Sequence, residues 1–98
     1  MRDEITARVG HEFYSFDGRI LELFGREYSW RFHIRHMYMI VTEPDRKGRR
    51  EVTLGHGTPE NRGASLTWRP TAAEWEQSPD LAALLDAVRA ALDAPPGR

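Results

Sequence analysis

Apolar and polar residues alternate along the first two thirds of the chain, and the spacing becomes helical near the C-terminus. The alternation covers residues 5–69 and is interrupted by short turns, whereas residues 78–92 have a helical period. A period of two predicts strands, and a period of 3.6 predicts an amphipathic helix. The connections are too short for crossover helices, so the strands are expected to pair antiparallel. The pattern predicts an α+β domain at 1–94, an antiparallel sheet or partly open barrel of six to seven strands capped by a C-terminal α-helix, with a disordered tail at 95–98.

The clearest local signal is the dipeptide Asp17-Gly18, which lies between two apolar segments. Asp-Gly favours the positive φ angles of a two-residue type I′ hairpin turn. With such a turn, Tyr14 would lie opposite Leu21. Both faces of the hairpin carry apolar residues, so we expect it to lie inside a curved sheet.

The next strand has an apolar face and a cationic face. Its apolar side carries Tyr28, Trp30, Phe32 and Ile34. Its other side carries a basic stripe, defined as Arg31, His33 and Arg35. We expect the aromatic side to face the core and the basic stripe to face water or a partner.

The remaining strands are predicted at residues 37–42, 50–54 and 64–69, with loops at 43–48 and 55–63. The C-terminal helix is predicted from Ser78, a possible N-cap, and Pro79, which suits the first helical position. Its apolar stripe consists of Leu81, Leu84, Leu85, Val88 and Leu92. Before it, Thr71 and Glu74 have the spacing of a capping box.

Short antiparallel strands followed by one C-terminal helix resemble the pleckstrin-homology-like (PH-like) fold. The segment GREYSWRFHI at residues 25–34 is similar to bacterial PH-like domains, which often alternate apolar residues and histidine after a Gly-Arg turn. The resemblance implies two packed sheets with seven strands, and members that bind a protein or a lipid headgroup. The pattern gives six strands, so either residues 2–14 supply two or residues 71–77 contain one. The turn at Asp17-Gly18 is short and acidic, so no phosphoinositide headgroup residues carry over.

Composition narrows the function classes. The 14 basic and 15 acidic residues give a net charge of −1, which provides no overall attraction to nucleic acid, so no specific nucleic-acid partner is expected. The chain has no cysteine, which excludes disulfides and thiolate metal sites. No signal-like N-terminus and no transmembrane segment are recognised, so the cytoplasm is the expected location.

Histidine and nucleophile patterns do not indicate catalysis. His33 and His36 would point to opposite faces of a strand, so we expect no metal site. Gly55-His56-Gly57 is interpreted as a flexible connector, because no phosphate-binding glycine motif surrounds it. No nucleophile elbow is present, and no cofactor is predicted.

Basic residues are the remaining functional lead. The basic hairpin, defined as Arg46, Lys47, Arg49 and Arg50, clusters around one predicted turn. The basic hairpin or the basic stripe could bind a phosphate, a headgroup or an acidic peptide. The alternative in each case is plain solvated surface.

We therefore expect a small non-enzymatic interaction module that binds a protein or an anionic ligand. One alternative is a small enzyme or ligand-binding domain with a pocket between sheet and helix. The other is a structural subunit that forms a homo-oligomer through residues 28–34 or through the helix surface.

Overall fold

The computed structural model describes residues 4–94, which form an α+β fold with seven antiparallel strands and two helices. The strands are β1 (Ile5–Val9), β2 (Glu12–Phe16), β3 (Ile20–Phe24), β4 (Ser29–His33), β5 (Met37–Val41), β6 (Val52–Gly57) and β7 (Arg62–Trp68). A 3₁₀ turn at Ile34–His36 joins β4 to β5, and the helices are α1 (Ala72–Glu76) and α2 (Pro79–Asp93). The tail predicted at 95–98 lies outside the described residues.

The strands form two sheets and do not close into a barrel. One sheet has the order β1-β2-β3-β4, and the other has the order β5-β6-β7. The open question about residues 2–14 is answered by β1 and β2, which are joined by a turn at Gly10 and His11. Gly10 has a φ of +61°, which suits glycine at this turn. Residues 71–77 contain α1 and no strand.

The turn between β2 and β3 lies one residue further toward the C-terminus than predicted. Tyr14 pairs with Leu23 rather than with Leu21. Gly18 has a φ of +99°, but no non-glycine residue has positive φ among the described residues, so the type I′ prediction was wrong. The Asp17 carboxylate accepts hydrogen bonds from the backbone N–H groups of Arg19 and Ile20, both at 2.9 Å. These bonds hold Asp17 at the start of the turn and leave Gly18 and Arg19 as its central residues.

Strand β4 ends earlier than predicted. The backbone turns at His33, whose Nδ1 accepts a hydrogen bond of 3.1 Å from the backbone N–H of Arg35. This hydrogen bond satisfies the backbone N–H of Arg35 within the 3₁₀ turn. Arg35 therefore lies in that turn instead of on the strand. At the other end, Tyr28 precedes the strand and is 47% exposed, contrary to its predicted core position.

Strands β6 and β7 of the second sheet extend into the loop that the pattern indicated between them, whereas β5 ends one residue earlier than predicted. Residues 55–57 belong to β6 and β7 begins at Arg62, so the loop predicted at 55–63 shortens to a turn. Gly55 allows this extension, because the ring of Tyr38 lies where a Cβ of residue 55 would be, at 2.4 Å. An irregularity in the register between Gly55 and Gly57 then shifts the pairing with β7.

Helix α2 closes the core between the sheets. Pro79 stands at its start, and the predicted stripe faces inward: Leu81, Leu84, Leu85 and Val88 are buried, and Leu92 packs at the margin. These side chains meet strand residues with full or nearly full burial, including Tyr14, Leu21, Leu23, Phe32, Val52 and Leu54. Burying such side chains contributes about 1.5–3 kcal/mol each. Ser78 precedes the helix but makes no side-chain cap bond.

Candidate binding cleft at the end of the second sheet

A cleft of about 630 Å³ lies where β5 ends, β6 begins and β7 ends. Backbone pairing brings these positions together: the N–H of Thr42 donates to the carbonyl of Glu51 at 3.0 Å, and the N–H of Arg50 donates to the carbonyl of Pro70 at 3.3 Å. The cleft is lined by Thr42, Glu43, Asp45, Arg49, Arg50, Glu51, Arg69 and Thr71.

The Asp45 side chain shapes the loop that forms one wall of the cleft. Its Oδ1 accepts hydrogen bonds from the backbone N–H groups of Lys47 and Arg49, each at 2.9 Å. Its Oδ2 forms an ion pair with the Arg49 Nε, also at 2.9 Å. The backbone N–H of Arg49, together with its guanidinium and the N–H of Lys47, lowers the pKa of Asp45 below its usual value. The carboxylate therefore stays charged at neutral pH.

Thr71, the N-cap residue of α1, also lines the cleft. Thr71 and Glu74 form the predicted capping box: the backbone N–H of Glu74 donates to the Thr71 Oγ1 at 3.1 Å, and the backbone N–H of Thr71 donates to Glu74 at 2.8 Å. The loop contacts this helix closely, since a Cβ at Gly48 would lie 2.7 Å from the Cβ of Ala72. Gly48 also has a φ of +78°. The loop therefore packs directly on the first turn of α1.

Three arginines in the cleft have different environments. Arg49 pairs with Asp45, and Arg69 pairs with Glu51 at 2.8 Å. The guanidinium carbon of Arg50 lies 4.9 Å from the ring centroid of Trp75. Within residues 4–94, no carboxylate lies within ion-pair distance of Arg50. Arg50 is therefore the cleft arginine whose charge is not matched by a neighbouring acid.

The structure divides the basic hairpin into two parts. Arg49 and Arg50 line the cleft, whereas Arg46 and Lys47 are exposed at the turn and do not line it. Sequence reasoning missed Arg69 as a site residue, because it is distant in sequence. The register between β6 and β7 brings it beside the hairpin.

The basic stripe is not a continuous row. Arg31 lies on β4 and approaches Glu22 of β3 at 3.8 Å. His33 is the last strand residue, and Arg35 belongs to the 3₁₀ turn. The stripe therefore splits at His33, and its first arginine has an acidic neighbour.

The relative placement of His33 and His36 was predicted wrongly. The 3₁₀ turn brings their ring centroids to 5.6 Å, because residues three apart share a side of such a turn. However, the Nδ1 of His33 accepts the N–H of Arg35, so a neutral ring carries its proton on Nε2 and offers no lone pair there. Within the described part of the chain, no three His, Cys, Asp or Glu side chains form a group able to hold a metal.

Residue His56 is half-buried and lies on strand β6, not in a flexible connector. Its ring lies 4.6 Å from that of Phe32 and 6.1 Å from that of Trp30. These contacts join β6 to β4 across the two sheets. The prediction of a connector at Gly55-His56-Gly57 was wrong because Gly55 and Gly57 permit strand pairing at this point.

The hydroxyl groups in the cleft have structural hydrogen-bond partners. Thr42 Oγ1 accepts from the backbone N–H of Glu51 at 2.9 Å, and Thr71 Oγ1 is the helix cap. Nucleophilic catalysis requires a hydroxyl or thiol beside a base. Ser15 does contact the Glu4 carboxylate, but this pair lies on the first sheet, away from the cleft. The cleft residues themselves are suited to binding charged groups.

Comparison of the chain with protein-family models, with curated protein sequences and with solved structures finds no match. Across residues 4–94, the helices are too short or too polar to cross a bilayer.

Proposed function

We propose that this protein is a non-enzymatic PH-like interaction module whose cleft binds an anionic group, a phosphate or a carboxylate, presented by a partner. The observation that carries this proposal is the environment of Arg50, which lines the cleft and contacts Trp75, while no carboxylate of residues 4–94 lies within ion-pair distance of it. A cation in such a position can attract an anion without first losing an ion pair.

Contact with Trp75 adds to the suitability of Arg50 as an anion ligand. Stacking on an aromatic ring is worth about 0.5–1 kcal/mol at an exposed site, and it restricts the guanidinium before an anion arrives. An arginine held in this way can present two parallel N–H donors to a carboxylate or phosphate. Lysine provides the same charge but not the planar pair of donors.

Neighbouring arginines can contribute to the same anion. The Arg49–Asp45 and Arg69–Glu51 pairs are both exposed, and exposed ion pairs are worth only about 0–1 kcal/mol. Each guanidinium has five donors, so the pairs leave donors for a second acceptor. The three acids of the cleft balance its three arginines, so binding depends on geometry more than on a strong positive field.

Strand order supports the PH-like part of the proposal. Four strands form the first sheet, three form the second, and a helix closes the core, which agrees with the architecture that the resemblance implies. The loop after β1 consists of Gly10 and His11 and has no run of basic residues. An anion site in the second sheet is therefore proposed in place of a headgroup site in that loop.

Binding should be measured by isothermal titration calorimetry with inorganic phosphate, a phosphoserine peptide, an aspartate-rich peptide and vesicles containing anionic lipid. We expect at least one probe to bind, and the Arg49→Ser/Arg50→Ser double variant to abolish that binding. Arg50→Lys should weaken it by about ten- to a hundredfold, because one charge-assisted hydrogen bond contributes about 1.5–3 kcal/mol. Binding should also weaken with salt, since screening acts over about 8–10 Å near physiological ionic strength.

The matched control is Arg46→Ser/Lys47→Ser, which removes two charges from the same loop but outside the cleft. This variant should bind like the wild type. A second comparison is Arg31→Ser/Arg35→Ser in the basic stripe. Equal loss in all three double variants would indicate nonspecific charge attraction and would refute the cleft, as would loss confined to the stripe.

A further inference from the structure

The two outer strands of the second sheet have different surroundings. Strand β5 is one outer strand, and the backbone carbonyl of Met39 within it accepts a hydrogen bond of 2.5 Å from the Arg89 side chain of α2. Strand β7 is the other outer strand and pairs only with β6. Its residues 62–65 and 67 are exposed. The edge of β5 is therefore partly occupied by the helix, whereas the edge of β7 is open.

Backbone pairing determines which groups face this open edge. The Pro70 carbonyl accepts from the N–H of Arg50, so position 70 directs its backbone toward β6. In an antiparallel pair, successive residues alternate in direction. The backbone N–H and C=O groups of residues 66 and 68 therefore also face β6. Those of Ser65, Thr67 and Arg69 face outward. A row of such groups is a template for pairing with another strand.

Two of the usual protections of an edge strand, an internal charge and a proline, are absent from β7. Between Arg62 and Trp68 the strand contains no proline and no internal charge, only small or apolar residues and Thr67. The strand is also longer than the other six. An edge of this kind either pairs with a partner or exposes the protein to aggregation.

Self-pairing is favoured by the match of β7 with itself. Suppose that Thr67 lies opposite Thr67 of a second copy. The half-buried Leu66 of each copy then lies opposite Trp68 of the other on the inner face, so the two-fold symmetry gives this pair twice. Arg69 then lies opposite Ser65, so no like charges meet. The outward positions 65, 67 and 69 form three hydrogen-bonded pairs in this register. Centring the pairing on Arg69 would instead place two arginines opposite each other.

We propose that β7 is a self-pairing edge, through which two copies of this chain join their three-stranded sheets into one antiparallel six-stranded sheet. A single strand edge lies at the small end of specific interfaces, below about 1,200 Å² in total. The dimer is therefore weak and depends on concentration. This contact differs from the β4 and helix surfaces that the sequence indicated for a homo-oligomer.

Sedimentation velocity over a dilution series tests the proposal through charge at position 65. Ser65→Glu places one carboxylate opposite each Arg69, giving two symmetric charge pairs, and should tighten the dimer, whereas Ser65→Lys should weaken it. Cross-strand charge pairs of about 0.2–1 kcal/mol each predict a change of about two- to thirtyfold in each direction. Both substitutions lie on an exposed side chain, so the fold is retained.

Backbone variants provide the second arm of the test. Thr67→Pro removes an N–H that faces outward and should give a monomer, whereas Thr67→Ala keeps that N–H and should dimerise. Hydrogen exchange should show protection of the amides of residues 65, 67 and 69 that is lost on dilution. A chain that stays monomeric at all concentrations, or a dimer indifferent to all four variants, would overturn the proposal. So would protection of these amides only when an unrelated polypeptide is added.

Discussion

Gly18 is the residue where backbone conformation alone determines the cost of substitution. Its φ is +99°, and a Cβ built on it would have no neighbour within 4 Å. A side chain at this position would therefore meet open space but would place an L-residue in a disfavoured conformation. Such a conformation costs roughly 1–2 kcal/mol.

We expect Gly18→Ala to lower the free energy of unfolding by about 1–2 kcal/mol and Gly18→Val by more, since a β-branched residue tolerates positive φ least. Gly18→Asn is the control and should cost less, because asparagine visits this region more readily. Urea denaturation measures all three. Equal stability of the valine variant and the wild type would contradict the turn geometry.

Tyr14 couples the stability of the fold to alkaline pH. Burial raises the pKa of Tyr14 well above its usual value, and its hydroxyl also donates to the Glu12 carboxylate at 2.8 Å. The folded chain therefore retains the phenolic proton at a pH where the unfolded chain has lost it. The resulting stabilisation is complete below about pH 10, the ordinary tyrosine value, and decreases as the pH rises above it.

Urea midpoints measured between about pH 8 and pH 11 should fall above pH 10 for the wild type. Tyr14→Phe has no proton to retain, so its midpoint should fall less steeply. Tyr28→Phe is the comparison: the hydrogen bond to Glu12 also raises the pKa of Tyr28, but this residue is exposed, so its removal should change the profile less than Tyr14→Phe does. Parallel pH profiles for the wild type and Tyr14→Phe would show that Tyr14 is not the linked group.

Helix α2 is the element on which the closed core depends. Leu85 is 3% exposed and Leu84 is fully buried, while the neighbouring Asp86 is exposed. Leu85→Ala should lower the free energy of unfolding by roughly 2–5 kcal/mol, because it removes buried atoms and leaves a cavity. Asp86→Ala is the control on the solvent side and should change it by less than about 0.5 kcal/mol. A loss below that value for Leu85→Ala would make the helix peripheral.

Elements with strong local signals were predicted well from sequence. The leucine spacing, Pro79 and the capping box of Thr71 and Glu74 each depend on residues close in the chain, and α1 and α2 form at these positions. The alternation in the fourth strand likewise identified Phe32 as core, although Tyr28, predicted for the same face, is exposed. In these segments, interactions between residues close in the sequence were sufficient to predict the structure.

Register and strand ends were predicted poorly because they depend on particular side-chain bonds. The Asp17 carboxylate shifts the turn between β2 and β3, and the Nδ1 of His33 ends β4. The extension of β6 requires the ring of Tyr38 to lie over Gly55, a contact between two strands. The alternation of apolar and polar residues does not reveal any of these hydrogen bonds or contacts.

At the scale of the whole molecule, the cleft is a consequence of sheet pairing. Two members of the basic hairpin, Arg49 and Arg50, were identified from sequence as a charged cluster. Their relation to Arg69 and Trp75 was not, because it requires the register of β6 with β7 and the position of α1. The charged residues of the sequence could indicate binding of an anionic ligand. Only the fold distinguishes the basic residues that line the cleft from those outside it.

Chemical-shift mapping of the ¹⁵N-labelled chain can locate the anion site without any substitution. The wild type would be titrated with the tightest-binding anionic probe, and backbone amide shifts would be followed for residues 4–94. We expect the shifts to concentrate at residues 42–51 and 69–75, with the side-chain Nε–H signal of Arg50 moving in the same titration. Shifts centred on residues 31–36, or uniform small shifts over the surface, would contradict binding in the cleft.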